Sequence, residues 1–296
     1  MEMLQIGRLQ HTIADSITIT GIGIHSGKRA NLKLCPAPEG VGILFKCTQS
    51  GGITDSLSAL WSNVLRTTLS TTIGSSSCQV RTIEHLMAAL YAYGIDNVII
   101  EIDSIEVPIM DGSAKAFVEV IERIGIKTLT AKRRYLRIIK SVRITSGESW
   151  AEFSPHCSMR FEISIEFKNS IIGFQKWAGD LTQTVFRNEI YAARTFGFLR
   201  DVERYRKAGC ALGASLENSV VISEDDQVMN HGGLRYSGEE FVRHKTLDAI
   251  GDIALAGYPV IGCYRSCRGS HEINHMALCT LFADKDSYEI VDDHGA

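Results

Sequence analysis

The chain has 296 residues, 45% hydrophobic and 22% charged, with 26 Gly, 5 Pro and a formal net charge of −3. This balance excludes a disordered or fibrous protein and a general nucleic-acid binder, while leaving room for a local basic pocket that holds a phosphorylated small molecule. The length suits one large domain or two ordinary ones. No run approaches the ~18 apolar residues of a membrane span. Residues 1–8 lack a basic stretch followed by an apolar core, so no signal peptide is expected.

Residues 17–20 and 30–34 alternate apolar and polar side chains, as strands do. A helix carrying Thr82-Ile83-Glu84-His85-Leu86-Met87-Ala88-Ala89-Leu90 follows and ends near Gly94. Residues 97–102 then read as a β-branched strand. After the turn Met110-Asp111-Gly112-Ser113, with Ser113 as N-cap, a helix presents Phe117, Val118, Ile121 and Ile124 on one face and stops at Gly125. Lys132-Arg133-Arg134 reads as a solvated hinge. Beyond it, residues 135–139 and 160–165 are strand-like. A helix from about Glu239 to Gly257, a strand at 260–264 and a helix opened by Arg268-Gly269-Ser270 repeat the earlier order. Helix, strand, helix thus occurs twice, half a chain apart. The expected fold is α+β: two similar domains, 1–129 and 133–296, each a mainly antiparallel sheet packed with helices. Eight cysteines, none in a CxxC pair, read as reduced, mostly buried thiols of a cytoplasmic protein. Cys263 and Cys267 alone give only a weak metal signal.

The first helix of each repeat carries metal-ligand chemistry. If the two face one another, His85, His244 and Asp248 supply three protein ligands to a hydrolytic zinc with one position open, and Glu84 is placed as a base. At about 100° per residue, His244, Lys245, Asp248 and Asp252 share one stripe, opposite Leu247, Ile250 and Ala254. That spacing equally fits the polar face of an ordinary amphipathic helix, and Glu84-His85 equally fits a capping carboxylate beside an exposed imidazole. A rival is His271-Glu272-Ile273-Asn274-His275, the H-E-x-x-H pattern of zinc peptidases. It falls in the first turn of a short helix. Its third ligand would have to come from generic candidates such as Asp284, Glu289 or His294. A non-catalytic sugar-nucleotide-binding metalloprotein is a further alternative.

Six motifs occur in order: Gly21-Ile22-Gly23-Ile24-His25-Ser26-Gly27, Thr82-Ile83-Glu84-His85-Leu86, Gly94-Ile95-Asp96-Asn97, Pro108-Ile109-Met110-Asp111-Gly112-Ser113-Ala114, Ala193-Arg194-Thr195-Phe196-Gly197-Phe198, and Arg243-His244-Lys245 with Asp248-Ala249-Ile250-Gly251-Asp252. Together they closely resemble the UDP-3-O-acyl-N-acetylglucosamine deacetylases, zinc enzymes of lipid A biosynthesis in Gram-negative bacteria. The likeness runs from about residue 5 to residue 290. It implies two similar domains with the active site between them. It also implies one zinc ion on His85, His244 and Asp248, for which iron is an alternative because the same ligands accept both. Glu84 is the implied base, and His271, oriented by Asp252, the acid that protonates the leaving amine. Thr195 is implied near the reacting carbonyl and Lys245 beside the anionic substrate. Phe196, Phe198 and Leu212 are implied to line a passage for the acyl chain. The implied partner is the acylated UDP-sugar alone, with no nucleic acid, and a cytoplasmic monomer is expected.

Overall fold

The computed structural model describes residues 8–48, 54–75, 77–168 and 171–292. The first seven residues, read above for a leader, and His294 lie outside them. The chain opens with strands β1 (Leu9–Ile13), β2 (Ile17–Ile22), β3 (Arg29–Pro36), β4 (Ile43–Thr48) and β5 (Thr54–Ser58). Three short strands follow: β6 (Val64–Arg66), β7 (Thr72–Gly74) and β8 (Gln79–Arg81). Helix α1 (Glu84–Ala92), strand β9 (Val98–Ile102), helix α2 (Lys115–Ile124) and strand β10 (Ile126–Lys132) complete the first half.

The second half begins with β11 (Tyr135–Ile138), β12 (Val142–Ser146), β13 (Ser149–Ser154), β14 (Met159–Glu166) and β15 (Phe174–Asp180). Then come the short helix α3 (Gln183–Val185), β16 (Phe196–Phe198), α4 (Leu199–Lys207) and β17 (Val220–Ile222). Helix α5 (Glu240–Ile253), strand β18 (Val260–Cys267), helix α6 (His271–Ala283) and strand β19 (Tyr288–Val291) close the chain.

The fold is α+β. The first-half sheet has the order β2-β3-β9-β4-β5, antiparallel except for β4 beside β9. The second-half sheet is built around β18, which pairs antiparallel with β13 and parallel with β11 and β14. Alternation decides which face is inward: along β14, Phe161, Ile163 and Ile165 are buried while the residues between them are half-exposed. The repeat read from the sequence is present as α1-β9-α2 and α5-β18-α6, and in each unit the middle strand lies inside its sheet.

Helices α1 and α5 pack against one another, which explains an oddity of both. Neither has an exposed polar face. In α1, Glu84 through Leu90 are all buried, and in α5 every residue but Arg243 and Lys245 is buried. Gly251 permits the approach, because a Cβ there would collide with the Glu84 carbonyl. The exposed-histidine and polar-face readings of these helices are therefore corrected.

Three further expectations are corrected. The 132–134 segment is anchored: β10 runs through Lys132, and buried Arg133 donates its Nε to Asp96 Oδ1 at 2.7 Å. The N-cap of α2 is Ala114, with Ser113 one residue earlier accepting from the Lys115 amide at 3.2 Å. Finally, Cys47 and Cys78 are joined in a disulfide. Strand β4 and the residue just before β8 bring their Cα atoms to 5.9 Å, within bridging range, although they lie 31 positions apart in sequence. Of the six free cysteines, only Cys263 is buried.

Candidate metal centre

The site lies where the first turn of α1 meets the middle of α5. Thr82, just before α1, has φ 58, a rare conformation for a β-branched residue. Buried Glu106 holds it there, accepting from Thr82 Oγ1 at 2.9 Å and from the His25 and Ser26 amides at 2.9 and 2.7 Å. The strained turn and the glycine-rich loop at 21–27 are thereby locked together beside Glu84.

His85 Nε2 lies 3.5 Å from Asp248 Oδ1, and His244 Nε2 lies 3.3 Å from the same oxygen. Two ligands each about 2.1 Å from a tetrahedral zinc are about 3.4 Å apart, so the spacing suits such an ion. The imidazole rings stand nearly perpendicular, with centroids 5.0 Å apart. All three side chains are buried. Among the described residues they are the one group of three metal-capable side chains that converges.

The protonation pattern fits the same use. His244 Nδ1 is 3.0 Å from the Ala193 carbonyl, which can only accept, so Nδ1 carries the proton and Nε2 offers its lone pair. Burial lowers the His244 pKa to about 4 and keeps the ring neutral. For Asp248, burial favours the protonated form, but the charges of His244 and Lys245 lead the groups that outweigh it and hold the carboxyl well below its usual range. Asp248 Oδ2 accepts from Lys245 Nζ at 2.8 Å, whereas Oδ1 is buried without a hydrogen-bond partner. An unsatisfied carboxylate oxygen aimed between two imidazole nitrogens is costly unless a cation completes it. The donor set thus fits a divalent metal.

Beside the cluster, Glu84 Oε2 accepts from the Thr71 amide at 3.1 Å, and its pKa is raised by burial against the opposing pull of His271 and His85. His271 Nε2 lies 3.8 Å from Glu84 Oε1, while its Nδ1 is 2.8 Å from Asp252 Oδ2. Burial disfavours a charged His271, but Asp252 and Glu84 prevail and raise its pKa to about 9. Ser270 caps α6, accepting from the Ile273 amide at 3.3 Å, which fixes His271 at the first helical position.

The H-E-x-x-H reading fails on geometry. His271 faces Asp252, Glu272 is exposed, and His275 Nε2 lies 3.4 Å from Cys279 Sγ. Lys245 contacts Asp248, with its side chain 19% exposed. Thr195 lies two residues beyond Ala193, held by its amide on the Gly112 carbonyl at 2.7 Å. Phe196 is beside the cluster, with its ring 6.2 Å from His244, and Phe198 stands one pleat further along β16. Leu212 is 51% exposed against the 23–27 loop, its amide donating to the His25 carbonyl.

A sequence model describing UDP-3-O-acyl N-acetylglycosamine deacetylases matches residues 10–283. The chain belongs to this family. It is 48% identical over 285 residues to the UDP-3-O-acyl-N-acetylglucosamine deacetylases of Brucella melitensis biotype 2 (strain ATCC 23457), Brucella ovis (strain ATCC 25840 / 63/290 / NCTC 10512) and Brucella abortus (strain 2308). The match spans 96% of this chain and 98% of each relative.

Three side chains that support the Asp252–His271 pair in this deacetylase-family chain were not singled out from its sequence. Thr71 Oγ1 donates to Asp252 Oδ1 at 2.5 Å, and Asn274 Nδ2 donates to Asp252 Oδ2 at 2.8 Å. Tyr264 in turn donates to Asn274 Oδ1 at 2.6 Å. Asn274 was findable, since it is three residues from His271 on the same helical face. Nothing local marks Thr71, 181 residues from its partner.

Proposed function

We propose that this chain is a zinc-dependent amidohydrolase that removes the N-acetyl group from UDP-3-O-acyl-N-acetylglucosamine in lipid A biosynthesis, releasing acetate and the 2-amino sugar nucleotide. The observation that carries the reading is the unpartnered Asp248 Oδ1 facing the Nε2 atoms of His85 and His244. These three side chains would hold the ion. When bound, zinc lowers the pKa of water toward ~7 and polarises the amide carbonyl.

The chain's own groups do the proton work. Glu84, raised by its burial, takes a proton from the attacking water. His271, kept charged by Asp252, gives one to the departing amine from Nε2, the nitrogen that faces Glu84. Base and acid, 3.8 Å apart, lie side by side next to the three proposed ligands, so both can reach one substrate amide held there. The Thr195 hydroxyl is assigned to the developing oxyanion. Lys245 is assigned to offset charge on the anionic substrate while restraining Asp248. Phe196, Phe198 and Leu212 are assigned to the acyl passage.

All of the proposed ligands, the base and the acid come from one chain, which supports a monomer as the working unit. The domain division proposed is 1–129 and 133–296, supported by sheet pairing that, among the described residues, joins no strand of one half to a strand of the other. Among the described residues no helix is long and apolar enough to cross a membrane. A nucleotide-activated sugar as substrate favours the cytoplasm. Metal analysis combined with acetate release from the acylated UDP-sugar tests the proposal: one zinc per chain with turnover supports it, and metal without acetate refutes it.

A further inference from the structure

A cavity of ≈ 380 Å³ opens at the seam between the halves, at the other end of α1 and α5 from the metal centre. Leu90 and Tyr91 of α1 and Ala256 just past α5 form part of its wall. Tyr91 is seven residues along α1 from Glu84, about 10 Å of helix. The stacked pair Trp61 and Phe282 also lines it, one ring from each half, with centroids 4.9 Å apart and planes 7° from parallel.

The polar side of the cavity is more informative. Arg133 and Arg134 both line it, with Asp96 as a neighbouring anion. The Arg133 side chain is 8% exposed, and its Nε is spent on Asp96 Oδ1 at 2.7 Å. Neither of its terminal nitrogens, Nη1 or Nη2, donates a hydrogen bond within the described residues. A guanidinium end left with free N–H donors in a cavity with both apolar and polar walls matches the two oxygens of one carboxylate. The Arg134 guanidinium lies 5.4 Å over the Tyr258 ring, adding a second cation at the rim. Two cations against one anion leave a single positive charge, which a monoanion neutralises and a dianionic phosphate overshoots.

We propose that this seam cavity is a second ligand site, for a small monocarboxylate with an aromatic or short aliphatic body. The carboxylate lies across Nη1 and Nη2 of Arg133 while the body packs between Trp61 and Tyr258. Because one wall comes from each half, an occupant clamps the ends of the two helices that carry the metal cluster. The site stands apart from the catalytic reading, and its test needs no turnover.

The test titrates 4-phenylbutyrate into the full-length, metal-loaded protein while tryptophan emission is recorded, with 4-phenylbutanol as the uncharged control. The expected result is a saturable change with a dissociation constant of about 1 mM or tighter, in the range open to so small a probe. It disappears in Trp61→Phe, which keeps Trp150 and Trp177. Arg133→Lys retains the charge opposite Asp96 but loses the forked edge, and should weaken binding at least tenfold. Arg134→Gln, at the exposed rim, should weaken it about threefold while leaving the fold intact. Equal binding of the alcohol, no saturation, unchanged affinity in both arginine variants, or a signal that persists in Trp61→Phe would each overturn the proposal.

Discussion

Asp252→Asn separates the proposed acid, His271, from the proposed metal ligands. The Asp252 carboxylate receives three donors: His271 Nδ1 at 2.8 Å, Asn274 Nδ2 at 2.8 Å and Thr71 Oγ1 at 2.5 Å. An asparagine must turn its NH₂ toward one of them, so one buried donor loses its acceptor. The larger effect is electrostatic. Raising His271 from 6.5 to about 9 corresponds to roughly 3.4 kcal/mol of preference for the imidazolium. Asp252 is the leading contributor, working against burial. Without it, only Glu84 and Asp248 still oppose burial, and the pKa falls back toward the ordinary 6.5. At pH 8 the charged fraction would fall from about 0.9 to about 0.03, some 30-fold, from protonation alone. Loss of ring orientation adds to this, for an overall drop in kcat of about 10²–10⁴.

The assay is acetate release across pH 5.5–10 with metal content measured in parallel. A bound divalent cation repels the imidazolium, so the wild-type basic limb should lie at or somewhat below pH 9. In Asp252→Asn that limb should move down by more than one pH unit while zinc content stays at one per chain. A basic limb that stays put, or a kcat within about threefold of wild type, would refute the assignment of His271 as the acid held by Asp252.

Glu84→Gln should keep its metal and lose about 10²–10⁴ in turnover, the scale of a missing general base; wild-type rates would sink that role. Gly251→Ala should force α1 and α5 apart at the Glu84 carbonyl, costing about 1–3 kcal/mol in denaturant unfolding and lowering zinc affinity together. An unchanged melting temperature would mean that the helices yield more easily than the contact suggests. In the metal-free protein, His271 binds its proton more tightly folded than unfolded. Its contribution to stability is therefore complete below pH 6.5 and is lost as pH rises through about 9. The melting-temperature difference between wild type and His271→Gln should narrow over that window, and a constant difference would contradict it. Glu240→Gln strips the charge from a fully buried carboxylate that accepts from the Arg194 and Arg235 amides and from the Arg194 guanidinium. Leaving Arg194 unpaired should cost about 3–5 kcal/mol, read by denaturant unfolding.

Much of this architecture was legible because local pattern and tertiary role agree. Alternation in 160–165 and 30–34 marked β14 and β3, and Gly125 and Gly257 ended helices where their positive φ values now lie. The three proposed metal ligands could be picked out as types and spacings, but spacing could not separate a ligand stripe from a solvated face. The deciding fact is the all-round burial of α5, which depends on α1 from the other half of the chain. Arg133 was misread for the same reason: its partner Asp96 is 37 residues away, and a basic triplet looks alike whether solvated or paired. The Cys47–Cys78 bridge joins β4 to the residue just before β8, a strand of another sheet, a proximity that sequence spacing does not encode.

The repeat explains why the site forms where it does. Each half contributes one helix leading into an interior strand of its sheet, and α1 and α5 hold equivalent places in their halves. Facing equivalent helices across a seam gives the two imidazoles near-symmetric approaches to one point, at 3.3 and 3.5 Å from a shared oxygen. Symmetry alone would supply matching ligands, yet the chemistry needs different ones. The first half therefore adds Glu84 next to its imidazole, while the second adds Asp248 one turn on and Asp252 a further turn along α5. Gly251 lies between those two carboxylates, directly against the Glu84 backbone at the start of α1. A single missing Cβ thus sets how near the two halves come, and with it whether three side chains can share one ion.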